Sequence, residues 1–164
     1  MARRALAALL LAALAVGTGG CGEEGGVADG AAVTVYVSAP LRGAEGDAGR
    51  RLCDEAREQA SQGRGKDELE LRVVCLDAAA AGGRWTLARV GSNARRATED
   101  STSVAYLGEP DPRARRHSLP IVEAAGLAEL GGIGGMEAIA KVRAALREGD
   151  AGDPREAVFD AVEG

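Results

Sequence analysis

Between Glu109 and His117 the chain brings together several side chains able to do chemistry: the carboxylates of Glu109 and Asp111, the guanidiniums of Arg113, Arg115 and Arg116, and its only histidine, His117. Guanidinium forks suit carboxylates, so the arginines offer an anion-binding edge, with a plain solvated run as the alternative. A single histidine excludes a histidine metal cluster, and a Ser-His-Asp triad would rest wholly on His117. Gly132 and Gly134 invite a dinucleotide-binding reading, but the third small position that such a loop needs is Glu137. These glycines read as a junction. No metal, no cofactor and no catalytic residue is expected, so the chain is not expected to be an enzyme.

The elements around these residues decide how they are presented. The apolar run Val104-Ala105-Tyr106-Leu107 stops at Gly108, passes through Glu109-Pro110-Asp111-Pro112 and continues as a helix-like segment carrying Leu119, Val122 and Ala125. This is a buried strand, a loop and a helix. In open α/β sheets the loop leaving the carboxyl end of a strand is where ligands are met, because backbone N–H groups and a helix N-terminus converge there.

The same alternation runs along the chain. Val33 to Val37 is β-branched and aromatic and ends at Ser38-Ala39-Pro40, which predicts a first strand followed by a glycine-punctuated loop. Leu52, Ala56 and Ala60, four apart, predict a surface helix over about 47–62. A polar turn over 63–67 leads to a second strand, Leu69 to Leu76, closed by Asp77. Leu87, Val90, Ala94 and Ala97 predict a second helix with Trp85 near its start, and Leu127 to Leu130 a short fourth strand. Met136, Ile139, Val142 and Leu146 mark one side of a further helix. Asp153 as N-cap, Pro154 at the first helical position and Glu156 at the capping-box position open a last one, with Val158, Phe159 and Val162 inward. Strand and helix in alternation predict an α/β fold, a three-layer parallel sheet of the flavodoxin-like kind.

Composition bounds the rest. The 164 residues allow one modest domain, and with aromatics at 2% the core must come from Ala, Val, Leu and Ile. Arg3-Arg4, twelve apolar residues from Ala5 to Val16, and small residues before Cys21 have the layout of an export signal over 1–20, too short to span a bilayer. The residues before Cys21 resemble a bacterial lipobox, which would make Cys21 the lipidated first residue of the mature chain; a plain secretory signal is the alternative, because Thr18 stands where leucine is preferred. Residues 21–32 read as a flexible tether and 33–164 as a single lobe. Without Met1–Gly20, which holds two arginines and no acids, the chain has 18 basic and 25 acidic residues and a net charge of −7. Nucleic acid is therefore not an expected partner. Export would place Cys53 and Cys75 in an oxidising compartment, where they are candidates for a disulfide because the first helix must pack back over the sheet.

Three segments in collinear order, Val33-Thr34-Val35-Tyr36-Val37-Ser38-Ala39-Pro40-Leu41-Arg42-Gly43, Ala105-Tyr106-Leu107-Gly108-Glu109 and Ser118 to Gly126, resemble the type 1 extracellular substrate-binding proteins of ABC transporters, the branched-chain amino-acid binders in particular. The resemblance implies a periplasmic-binding-protein lobe, a small solute such as an amino acid as ligand, an ABC permease as partner, and a location at the outer face of the cell membrane through a lipid anchor. It also makes Ser38, Leu41, Glu109, Asp111 and Arg113 the ligand-binding candidates.

Two departures qualify this. The family has two similar lobes and about twice this length, so the chain resembles a binder reduced to one lobe, with its junction near 131–135. Pro112 stands where the family's ligand loop carries serine, and proline offers neither hydroxyl nor N–H. Weak or lost binding follows, with a non-transport lipoprotein serving as an interaction or vestigial module as the other reading.

Overall fold

The computed structural model describes residues 32–62, 69–148 and 152–163. The export signal, Cys21 and nearly all of the tether, the polar turn at 63–67 and the chain at 149–151 lie outside the described residues.

Four parallel strands form one sheet in the order β2-β1-β3-β4: β1 Ala32–Ala39, β2 Glu70–Asp77, β3 Ser103–Leu107 and β4 Ala128–Glu129. In β1 the side chains alternate between two buried faces. Val33, Val35 and Val37 join one apolar cluster, and Tyr36 joins the other. Both faces must therefore be covered, as a parallel sheet requires. On the first face lie α1 (Gly46–Ser61), α4 (Gly135–Glu148) and α5 (Pro154–Glu163), contributing Ala56, Ile139, Val142 and Val158. On the second lie α2 (Leu87–Glu99) and α3 (Pro112–Glu123), contributing Ala94, Ala97 and Val122. This is the three-layer α/β lobe that the alternation predicts. Among the described residues no helix is long and apolar enough to cross a membrane.

Helix ends follow local chemistry. Asp111 caps α3 by accepting from the Arg113 N–H at 2.8 Å, and Pro112 takes the first helical position, where its missing N–H would have had no intrahelical partner. Asp153 caps α5 in the same way through the Arg155 N–H at 2.9 Å.

Three residues of the apolar spacings that mark the helices depart from that pattern. Leu87 and Met136, at the first turns of α2 and α4, are 55% and 56% exposed. Each precedes the inward stripe of its helix by one turn and has no layer above it. Ala125 falls past the end of α3, in a turn where Leu127 N–H bonds back to the Val122 carbonyl at 3.0 Å and Gly126 adopts φ +66°.

Candidate functional site

The sheet order makes β1 and β3 neighbours while α1 leaves β1 on one face and the helix after β3 packs on the other. The loops after the two strands must therefore part, and a crevice opens at their carboxyl ends. There the structure has a cleft of about 420 Å³ walled by Pro40, Ala48, Gly49, Trp85 and Pro110. Ala44, Glu45, Glu109 and Asp111 complete its lining. A second cleft of about 310 Å³ adjoins it, sharing Ala48 and Pro110 and bounded by Leu52, Gly108 and Ile133.

Beneath the first cleft is a buried polar cluster. Glu109 has no exposed surface. Its Oε1 accepts from the Ser38 hydroxyl at 2.7 Å and from the Tyr106 hydroxyl at 2.9 Å, and its Oε2 accepts from the Ser118 hydroxyl at 2.8 Å. Asn93 Nδ2 in turn donates to Ser38 Oγ at 2.9 Å. Four elements, β1, β3, α2 and α3, thus converge on one carboxylate. Burial and the adjacent Glu109 carboxylate push the Tyr106 hydroxyl above its ordinary range, so it stays protonated and can donate.

The rim is held by a second set of bonds. Asp111 accepts from the Arg113 side chain and N–H and from Trp85 Nε1, the last at 2.8 Å. These contacts, the Arg113 side-chain bond foremost, hold its carboxyl down to about 2. On the other side, Asp77 at the end of β2 accepts from the Leu41 N–H and the Ala79 N–H, each at 2.9 Å, and pairs with Arg42 at 2.6 Å. That loop also crosses the turn before Trp85 glycine on glycine: Gly43 (φ +71°) and Gly83 (φ +76°) are so close that a Cβ on the first would stand 2.3 Å from the Cα of the second.

The structure brings Ser38, Leu41, Glu109, Asp111 and Arg113 to one end of the sheet but gives them different tasks. Ser38 and Glu109 are bonded to each other below the cleft, and Asp111 lines it. The Leu41 N–H is committed to Asp77, and Arg113 lies outside, two-thirds exposed and paired with Asp111 at 3.2 Å. Arg116 and His117 are exposed on α3, while Arg115 is half-buried against the glycine turn, where a Cβ on Gly131 would stand 2.3 Å from its Cδ. The arginines of this run do not line the cleft. Cys53 on the inner side of α1 and Cys75 on β2 form a disulfide with their Cα atoms 6.1 Å apart. Sequence reasoning missed Tyr106 and Ser118 as partners of Glu109, Asn93 as the donor to Ser38, and Asp77 as the anchor of the β1 loop. Asn93 did leave a signal, as a polar residue beside Val90, Ala94 and Ala97 on an otherwise apolar stripe.

A parallel α/β lobe with its cleft at the point where the strand order reverses is a doubly wound architecture that periplasmic-binding-protein lobes share with other α/β folds. Among solved structures, the crystal structure of a leucine binding protein, LivK, from Thermotoga maritima is similar to it, with a TM-score of 0.51 and 20% identity over 60% of this chain. The chain spans 27% of that protein's length. No family model matches the chain, and no curated protein matches it.

Proposed function

We propose that this chain is a lipid-anchored, solute-binding-protein-like lobe on the outer face of the cell membrane, related to amino-acid uptake by ABC transporters and binding its solute weakly or no longer. The cleft at the reversal of strand order carries the reading. The likeness to a leucine binding protein supports a small amino acid as the solute class, and the signal-like segment before Cys21 supports export and anchoring. Weak binding follows from an open cleft. A tight small-molecule site ordinarily buries 70–90% of its ligand's surface, and one lobe covers one side. Pro112, at the start of α3, removes two donors that the family resemblance would place on the ligand. Each unpaired ligand group costs about 1–3 kcal/mol.

A second reading, a non-transport lipoprotein acting as an interaction or vestigial module, is favoured by one observation. The hydroxyls of Ser38, Tyr106 and Ser118 all point inward to Glu109 and are not offered to a ligand.

Calorimetric titration of the protein with amino acids tests the first reading. Millimolar affinity is expected, about 4 kcal/mol weaker than a micromolar site. Micromolar binding of any amino acid would overturn the loss of affinity, and no heat at any concentration would favour the second reading. A Cys21→Ser variant is expected to move from the membrane fraction to the soluble one.

A further inference from the structure

We propose that the cleft between the β1 and β3 loops takes an organic cation, an amine or quaternary ammonium group on a small apolar body, with Trp85 as its aromatic wall and the carboxylates of Glu45, Asp111 and Glu109 as its counter-charge. This deepens the solute-binding reading and rests on it.

The sign of the lining is the first argument. Every ionisable residue on the cleft wall is acidic, and no Lys, Arg or His is among them. Arg113 offsets one charge from outside, leaving three carboxylates against one guanidinium. Glu109 contributes through space, since its hydrogen-bond partners are neutral hydroxyls and it lies in a buried setting where charge is poorly screened. Glu45 is exposed, and its side chain makes no capping bond to the α1 end. The Arg113 guanidinium lies within its electrostatic reach, so part of its charge is met from outside the cleft.

The shortage of donors is the second. An anion needs N–H groups, yet Pro40 and Pro110, which lie on the two loops, have none. The Trp85 Nε1–H is already given to Asp111. The first turn of α1, a further source, carries Asp47 and is preceded by Glu45, so its partial positive charge is already met by carboxylates. What the wall does offer is apolar surface from Ala44, Ala48 and the prolines, and the indole of Trp85. An aromatic ring beside carboxylates attracts an ammonium group more strongly than a neutral group of the same shape. A cleft of about 420 Å³ suits a small amine.

Trp85 is the only tryptophan of the chain, so its fluorescence reports on the cleft alone. The full chain would be titrated with choline, with its neutral carbon isostere dimethylbutanol, with leucine and with isovalerate. Choline is expected to bind at least about tenfold more tightly than dimethylbutanol, and isovalerate not at all. Equal binding of choline and dimethylbutanol, or tighter binding of isovalerate, would overturn the inference. Leucine binding without choline binding would leave the solute-binding reading standing and remove this one; no response to any of the four would remove this one and favour the module reading. Followed by calorimetry, Trp85→Leu should lose choline binding and Glu45→Gln should weaken it about threefold while leaving thermal unfolding unchanged. Choline binding unaltered in both variants would place the cation elsewhere and overturn the inference.

Discussion

The hydroxyl of Ser38, at the end of β1, lies 2.7 Å from the carboxylate of Glu109, just past β3, across 71 residues of sequence. The two strands are neighbours whose following loops diverge, so this bond ties the loops together at the base of the cleft that their divergence opens. Tyr106 and Ser118 add β3 and α3 to the same carboxylate. A fully buried carboxylate is costly unless its oxygens are satisfied, and here three hydroxyls satisfy them.

Glu109→Ala is therefore expected to lose about 3 kcal/mol of stability, since three buried hydroxyls lose their acceptor at about 1 kcal/mol each. Glu109→Gln keeps the shape and one carbonyl oxygen, and serine hydroxyls can turn to accept from its amide, so about 1 kcal/mol is expected. Urea unfolding of the two variants checks the ranking. Equal loss in both would mean that the negative charge, and not the acceptor geometry, matters.

Stability should fall at both ends of the pH scale for identifiable reasons. Burial raises the Asp77 carboxyl, but the Leu41 and Ala79 N–H groups and Arg42 outweigh it and hold it below its ordinary value. A lowered folded value means that the unfolded chain takes up protons first, so the contribution is present above about pH 4 and is lost as pH falls below it. Tyr106 is shifted the other way. Its contribution is present below about pH 10 and is lost as pH rises, because the unfolded tyrosine ionises first. Urea midpoints measured across both limbs should show a flatter acid limb in Asp77→Asn and a flatter alkaline limb in Tyr106→Phe.

The order of elements was legible because Val, Ala and Leu recur with clean periods of two and near four, as in Val33-Thr34-Val35-Tyr36-Val37 and Leu52, Ala56, Ala60. The cleft's position was legible too, since the turn residues after Leu107 mark the end of a strand. What periodicity could not give was depth. Glu109 sits in a turn-like run beside Asp111, yet one is fully buried and the other lies at the rim. The difference is made by Ser38, Tyr106 and Ser118, and nothing in the local run announces that long-range pairing. Leu87 and Met136 show the same limit at helix starts, where the apolar spacing continues one turn beyond the layer that covers it.

Gly83→Ala is expected to cost at least about 2 kcal/mol. The residue has φ +76°, and an added Cβ would stand 2.5 Å from the Cα of Gly43, backbone against backbone. The β1 loop, which supplies one wall of the cleft, would have to move. Gly82→Ala is the control, because a Cβ there meets nothing within 4 Å, and a change within about 0.5 kcal/mol is expected. Thermal unfolding gives the costs, and Trp85 fluorescence shows whether the cleft has shifted in Gly83→Ala alone. Equal behaviour of the two variants would mean that the loops part easily.

The last prediction concerns Cys53 and Cys75, which join the inner side of α1 to β2, a strand at the edge of the sheet. The bond closes a stretch with a sequence separation of 22, and constraining the unfolded chain over that length stabilises by about 3 kcal/mol. In a Cys21→Ser background the native, unreduced protein should accept no thiol-alkylating label, and after reduction and unfolding it should accept two. Cys53 is only 2% exposed, so absence of label in the native state alone would not separate a bonded thiol from a hidden one. Labelling in urea without reductant makes that separation: a bonded pair stays unlabelled and a hidden pair reacts. The Cys53→Ala, Cys75→Ala double variant should unfold at lower urea by the corresponding amount. Two labels in urea without reductant would show that the thiols are free in the protein as isolated.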